Sequence, residues 1–281
     1  MTGSQVERII DLALEEDMGA GDLTTEALVP ETVVGRGSLV AQAEGRVAGV
    51  GVARRVFVKI DPALEVEVRV DDGGRVGAGD VIAVVYGRIS SILNGERTAL
   101  NFLQHLSGVA TETSKYVAAV EGLPCLIVDT RKTMPGLRLL EKHAVRMGGA
   151  GNHRLHLGDG ILIKDNHLTS WRSRGLSLKS VVAAARCRAH HLLKVEIEVT
   201  APEEAGEAAT AGADAILLDN MSVKDMARAV RLVAGRALVE ASGGITLDTV
   251  RSVAETGVNL ISVGAITHSV KALNISLELE Q

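Results

Sequence analysis

Val195-Glu-Ile-Glu-Val199, Ala215-Ile-Leu-Leu218, Leu238-Val239 and Leu260-Ile-Ser-Val263 are short apolar runs, and helix-spaced stretches lie between them at residues 202–211, 223–233 and 247–256. Gly212, Gly235 and Gly257 sit where those helices should stop. A run, a helix and another run predict parallel strands joined by crossovers. The pattern extends upstream, with strands predicted at 125–128 and 161–163, a weaker one near 149–151, and helices at 137–147 and 178–190. Alternation over roughly 150 residues means a barrel or an open doubly wound sheet. No G-x-G-x-x-G follows an early strand and no Walker A sequence is present, which weighs against the dinucleotide-binding form.

The first half reads differently, as an α+β domain. Val6, Ile9, Ile10, Ala13 and Leu14 repeat at helical spacing, and Ser4 with Glu7 predicts a capping box. Strands are predicted at 38–43, 64–70 and 81–86, with Asp71-Asp72-Gly73-Gly74 as the turn between the last two. A helix is expected over 51–60, and another over 92–106 that Gly108 breaks.

Composition narrows the function. Lys plus Arg number 30 and Asp plus Glu 35, a net charge of -5, so a general nucleic-acid binder is disfavoured. Aromatic residues are 2%, too few for binding by base stacking. Cys125 and Cys187 cannot build a disulfide framework or a four-cysteine zinc site, and they suit a reduced, cytoplasmic setting. No apolar run approaches the ~20 residues of a membrane helix, and the acidic N-terminal segment is unlike a signal peptide. A G-x-S-x-G elbow and a zincin-spaced histidine pair are both absent from the sequence.

In a parallel α/β barrel the chemistry sits just past the strand ends. Those positions hold Thr130, Arg131 and Lys132, then Asn152, His153 and Arg154, then Lys164. Glu196 and Glu198 share one strand face, and Asp219, Glu240, Ser242, Gly243, Gly244 and Gly264 follow. A lone strand-end Lys or Arg is ordinarily a solvated charge. Here the charges are sorted by sign: cations come first, carboxylates next, and Gly-rich turns that can offer N–H groups to phosphate come last. Five cations at one mouth imply a polyanionic ligand. The facing carboxylates imply a divalent cation between them and it, with Mg²⁺ the usual choice.

The residues then carry a resemblance. Asp129-Thr-Arg-Lys-Thr-Met-Pro-Gly136, Leu139-Leu-Glu-Lys142, Gly151-Asn-His-Arg154 and Leu162-Ile-Lys-Asp-Asn-His167 resemble the quinolinate phosphoribosyltransferase family. So do Glu15–Thr25, Gly95-Glu-Arg-Thr-Ala-Leu-Asn101, Leu217-Leu-Asp-Asn220, Glu240-Ala-Ser-Gly-Gly-Ile245 and Ser262-Val-Gly-Ala265. Met134 departs from the family's frequent Thr, and no charged site residue departs.

The resemblance implies an N-terminal α/β sandwich domain (1–108) and an incomplete seven-stranded α/β barrel (109–268), with 269–281 returning to the first. It implies Mg²⁺-dependent phosphoribosyl transfer from phosphoribosyl pyrophosphate to quinolinate with decarboxylation. Arg97, Arg131, His153, Arg154 and Lys164 would bind quinolinate. Lys132, Glu198, Asp219, Ser242, Gly243, Gly244 and Gly264 would hold the donor, and Thr130, Ser262 and Val263 would be further substrate-binding residues. Lys132, Glu198 and Asp219 would be catalytic, and Glu198 and Asp219 would serve Mg²⁺, directly or through pyrophosphate or water. A homodimer with shared active sites is implied, with Arg97 reaching the partner, and assembly beyond a dimer stays open. Two rivals are a same-fold transferase with another acceptor and a non-catalytic binder of phosphorylated metabolites.

Overall fold

The structure, a computed structural model, describes residues 3–172, 175 and 177–280. In chain order it begins with α1 (Ser4–Met18), α2 (Leu23–Leu28), β1 (Val34–Ala41), β2 (Gly45–Arg46) and α3 (Val50–Ile60). Then come β3 (Glu65–Val68), β4 (Arg75–Val76), β5 (Val81–Arg88), α4 (Ile89–Ala119), β6 (Leu126–Val128) and α5 (Arg138–Met147). Next are β7 (Ile161–Ile163), α6 (Asp165–Arg172), α7 (Leu178–Arg188), β8 (Val195–Val199), α8 (Pro202–Thr210) and β9 (Ala215–Asp219). The remainder is α9 (Val223–Val233), β10 (Leu238–Ser242), α10 (Val250–Ala254), β11 (Leu260–Ser262), α11 (Ala265–His268) and β12 (Ile275–Glu280). Two compact units result: Met1–Ser114 with Thr133–Gly149 and Ile266–Gln281, and Lys115–Lys132 with Ala150–Ala265.

The first unit holds an antiparallel sheet in the order β12-β1-β5-β3 and a small β2-β4 pair. β12 lies beside β1 in a register that sets Arg36 opposite Glu280 and Ala41 opposite Ile275. The helix α3 buries Val52, Ala53, Val56 and Phe57, and fully burying a side chain the size of Val or Phe contributes about 1.5–3 kcal/mol.

Three local expectations fail here. The helix α1 starts at Ser4, but the capping box does not form: the N-cap is Gly3, with no side-chain cap. Glu7 turns outward instead, to Arg55 and Lys59 on α3, both at 3.2 Å. Gly108 does not break α4, which continues to Ala119. A Cβ there would lie 2.4 Å from the Lys271 carbonyl oxygen, so the glycine serves a close backbone approach inside a helix. The 71–74 turn leads first into β4, which pairs with β2, and only then to β5.

α5 also counts with this unit. Its fully buried Glu141 accepts from His105 at 2.8 Å and from the Met134 N–H at 3.1 Å, and His143 meets Asp72 at 2.7 Å.

The second unit is a parallel sheet in the order β6-β11-β10-β9-β8-β7. The weak strand near 149–151 is reduced to a single parallel bridge, Val128 to Gly151, at the β6 edge. Ile197, Ile216, Leu218, Val239 and Ile261 are buried along the strands. The helix α9 shows why the crossovers form: Ser222 caps it by accepting the Asp225 N–H at 3.1 Å. Met226, Ala229 and Val233, at i, i+3 and i+7, form its buried stripe. Among the described residues, no helix is long and apolar enough to cross a membrane.

The sheet is strongly curled. His153 follows the bridge at one edge, yet its ring lies 3.2 Å from Glu196 on β8 and 3.5 Å from Glu240 on β10. Strands are about 4.8 Å apart. In a flat sheet β6 and β8 would be separated by roughly four such spacings.

Candidate functional site

The carboxyl ends of the second unit's strands carry the candidate site, and its scaffold begins with Asp129. This residue is fully buried just after β6. Its Oδ1 accepts the His153 N–H at 2.8 Å and its Oδ2 accepts Asn152 Nδ2 at 2.7 Å. A buried carboxylate thereby fixes the start of the 152–154 segment. Sequence reasoning placed Asp129 in a motif but gave it no role, because the segment it holds lies more than twenty residues away.

Arg154 follows, with Nη1 donating to the Gly160 carbonyl oxygen at 3.1 Å. Its guanidinium is pushed below its ordinary pKa by burial and by the neighbouring Arg131 charge, with Glu196 and Asp159 opposing. Two half-buried guanidiniums so close together repel, and an anion would relieve both. Lys132 and Thr130 share this strand end, where the Thr130 hydroxyl oxygen accepts the Lys132 N–H at 3.0 Å.

On the facing strands, Lys164 Nζ donates to Glu198 Oε2 at 2.8 Å. Glu198 is buried while Lys164 is half-exposed, so an ion pair already neutralises the deeper charge. Asp219 ends β9, one strand over, and accepts Asn220 Nδ2 at 2.9 Å. Asn220 is left-handed at φ 52 and donates its backbone N–H to the Ser242 carbonyl at 2.9 Å. That contact requires Gly243, at φ 92, because a Cβ there would fall 2.3 Å from Asn220 Oδ1. Gly244 is also left-handed, at φ 61, with open space where its Cβ would be. Two successive left-handed glycines form a concave backbone suited to an anion.

Ser262 and Val263 are buried at the end of β11, where Ser262 Oγ donates to the Ala241 carbonyl at 3.4 Å and the Val263 N–H donates to the Val128 carbonyl at 3.0 Å. Gly264 follows them, half-buried. Arg97 is on α4 in the first unit, largely exposed, with Glu96 at 4.0 Å.

At the centre of the curl stand His153, Glu196 and Glu240. Burial and the negative charge of Glu196 push the Glu240 carboxyl up to about 7, with His153 opposing. Among the described residues, Oε1 of each glutamate is buried without a hydrogen-bond partner. Sequence reasoning noted both glutamates but could not join them, since the trio comes from three separate segments. Cys125 and Cys187 are unpaired, and burial pushes the Cys125 thiol up, away from nucleophilic behaviour.

The chain is similar to known proteins over nearly its whole length. Residues 22–107 match the model of the quinolinate phosphoribosyl transferase N-terminal domain, and 109–278 match that of the C-terminal domain. A Bacillus subtilis protein named "Probable nicotinate-nucleotide pyrophosphorylase (carboxylating)" is 39% identical over 99% of this chain and 95% of its own length. The Nicotiana glauca protein named quinolinate phosphoribosyltransferase (decarboxylating) 2, mitochondrial, is 40% identical over 98% of this chain and 82% of its own. The crystal structure of NadC from Streptococcus pyogenes superposes with a TM-score of 0.95 at 40% identity, covering 100% of this chain and 98% of that one.

Proposed function

The chain belongs to the quinolinate phosphoribosyltransferase family, and from that premise we propose that it converts quinolinate and phosphoribosyl pyrophosphate to nicotinate mononucleotide, pyrophosphate and CO₂. This is the entry of quinolinate into de novo NAD biosynthesis. The observation that carries the reading is the pair of crowded guanidiniums, Arg131 and Arg154, at a strand-end mouth that also holds Lys132 and Lys164. Such a set matches a planar ring bearing two carboxylates.

The donor would lie toward Lys132, Glu198, Asp219, Ser242 and the Gly243–Gly244 concavity. Glu198 and Asp219 are hard oxygen donors on adjacent strands, a donor set that fits Mg²⁺, held directly or through water or pyrophosphate. Bound there, the ion would supply charge neutralisation for the pyrophosphate.

The protein's own work is positioning and charge stabilisation. The pyridine nitrogen carries a free lone pair, so no general base is needed for its attack on the ribosyl carbon as pyrophosphate departs. The ring nitrogen is cationic once that bond forms. Its positive charge then stabilises the electron pair left on the neighbouring ring carbon when the adjacent carboxylate leaves as CO₂, and that carbon takes a proton from water to give nicotinate mononucleotide. Of the two rivals, neither the shifted acceptor nor the non-catalytic binder is favoured by any feature of the site: the cations that a dicarboxylate needs and both donor-side carboxylates are present.

We further assign a homodimer in which Arg97 completes the quinolinate pocket of the partner subunit, and a cytoplasmic location, which the two unpaired cysteines suit. The test is release of CO₂ from carboxyl-labelled quinolinate, dependent on phosphoribosyl pyrophosphate. Nicotinic acid, with one carboxylate, should be a poor substitute. Comparable turnover with nicotinic acid would refute the dicarboxylate assignment.

A further inference from the structure

We propose that Asn220 is a positioning residue for the donor side of the site: its left-handed backbone joins the end of β9 to the end of β10, and its side-chain amide sets the direction of the Asp219 carboxylate. The two strand ends are register partners, Asp219 beside Ser242. Asn220 and Met221 alone separate Asp219 from Ser222, the N-cap of α9. So short a strand-to-helix turn needs a sharp reversal, which Asn220 supplies at φ 52. Asparagine is one of the few residues with a side chain that visit this region readily.

Turning the chain does not account for the amide. Among the described residues, two residues other than glycine are left-handed, Asn220 and Ala234, and they flank the same helix. Ala234 holds the conformation with no polar side chain. At Asn220 the side chain is used in two directions. Its Nδ2 donates to Asp219 Oδ2 at 2.9 Å, and among the described residues no other group donates to that carboxylate. Its Oδ1 lies over Gly243, 2.3 Å from where a Cβ would stand, while its backbone N–H donates to the Ser242 carbonyl oxygen at 2.9 Å.

A neutral amide suits this task. On the strand beside β9, Lys164 neutralises Glu198 through an ion pair at 2.8 Å. A cation in place of Asn220 would do the same to Asp219. The amide instead fixes one carboxylate oxygen and leaves the negative charge in place, for the cation that accompanies a pyrophosphate. The same amide braces the first of the two left-handed glycines, so the carboxylate and the concave turn keep a set spacing. The donor-binding part of this proposal rests on the phosphoribosyl-transfer reading; the geometry of Asp219 does not.

The experiment separates the amide from the turn. Asn220→Gly keeps a left-handed backbone and loses the side chain. Calorimetry should find its affinity for phosphoribosyl pyrophosphate with Mg²⁺ about tenfold weaker, and its quinolinate affinity within about twofold of wild type. Wild-type donor affinity would reduce Asn220 to a turn former and overturn the proposal. Equal weakening of both substrates would overturn it too, as distortion of the whole site.

Asn220→Asp is the second variant, and it carries the test if the glycine variant does not fold. It keeps the size and the left-handed tolerance but loses the N–H. Donor binding should weaken at least as much. Unchanged or tighter donor binding would show that charge at this position matters and direction does not, against the proposal. A structural arm needs no substrate. In ligand-free crystals the turn of Asn220→Gly should superpose on that of the wild type, while the Asp219 carboxylate leaves its wild-type rotamer. An unmoved carboxylate would show that the amide does not hold it. If the wild-type protein binds no phosphoribosyl pyrophosphate, the donor reading fails, and the crystal comparison still decides whether Asn220 positions Asp219.

Discussion

At the amino ends of β8, β9, β10 and β11, a cavity of 550 Å³ is lined by Arg186, Lys194, Asp214, Arg236 and Asn259, among others. Glu198 and Asp219 lie toward the carboxyl ends of β8 and β9, and Glu196 and Glu240 lie within β8 and β10. Both ends are dense in charge, but the charges are used differently. At the amino end Asp214 accepts the Val195 N–H at 2.8 Å and meets Arg186 at 3.0 Å. Burial alone would raise its pKa, yet these contacts hold it below the usual carboxylate range. Arg186 also donates to the Gly212 carbonyl, and Arg236 donates to the Val233 carbonyl and to Thr210. Each charge ties a strand start to a loop. Within the curl, Glu196 and Glu240 keep buried oxygens without hydrogen-bond partners among the described residues, and at the carboxyl end Arg154 is crowded by Arg131. A cavity with charge is thus not by itself a site; charges that the fold leaves in conflict are the better sign.

That contrast can be broken by mutation at either end. The largest effect is expected from Asp219→Asn, which should lower kcat by about 10²–10³. It should leave quinolinate affinity, measured by calorimetry, nearly intact, and collapse of quinolinate binding with turnover preserved would reverse the assignment of the two subsites. Next in size is complementation. Arg97→Ala and Lys164→Ala should each be inactive alone, and after subunit exchange the mixture should recover about a quarter of wild-type activity. Confirmed exchange without recovery would remove Arg97 from the partner's site.

A smaller effect concerns Glu240 and pH. Its folded pKa, about 7, lies above the ordinary value of 4.5, so between those values the folded state holds a proton that the unfolded state has lost. Stability from this group therefore falls as pH rises through that window. Glu240→Gln should gain stability relative to wild type from pH 5 to pH 8, read as the difference in urea midpoints. A constant difference across that range would mean that Glu240 is ionised throughout. The smallest effect belongs to the amino end: Arg186→Ala and Lys194→Ala should each cost under about 1 kcal/mol of stability and leave kcat/KM unchanged. A fall in kcat/KM would show that the amino-end cavity takes part in function.

Much of the second unit was legible because its signals are local. β8 spans Val195–Val199 and α9 spans Val223–Val233, both as read from the sequence, since a β-branched run and a capped apolar stripe each declare themselves within a few residues. The sorted strand-end charges were legible for the same reason. What stayed hidden depends on contacts far apart in sequence. Gly108 resembles a helix stop until residues 271–272 are seen against it. Ser4 and Glu7 resemble a capping box until α3 offers Glu7 two cations. That His153 stands beside Glu196 and Glu240 is invisible in residues 152–154, because the two glutamates come from β8 and β10. The helix α2, capped by Asp22 through the Thr24 and Thr25 N–H groups, was missed because six residues carry too little periodicity.

The pairing of β1 with β12 bears on synthesis. Arg36 meets Glu280 across 244 residues of chain. At translation speeds of about 5–20 residues per second, β1 waits roughly 12–50 s for its neighbour. During that interval one edge of the first unit's sheet is open to any passing strand. All the parallel strands of the second unit are made within the same interval, so the part of the protein begun first is the part that must be completed last.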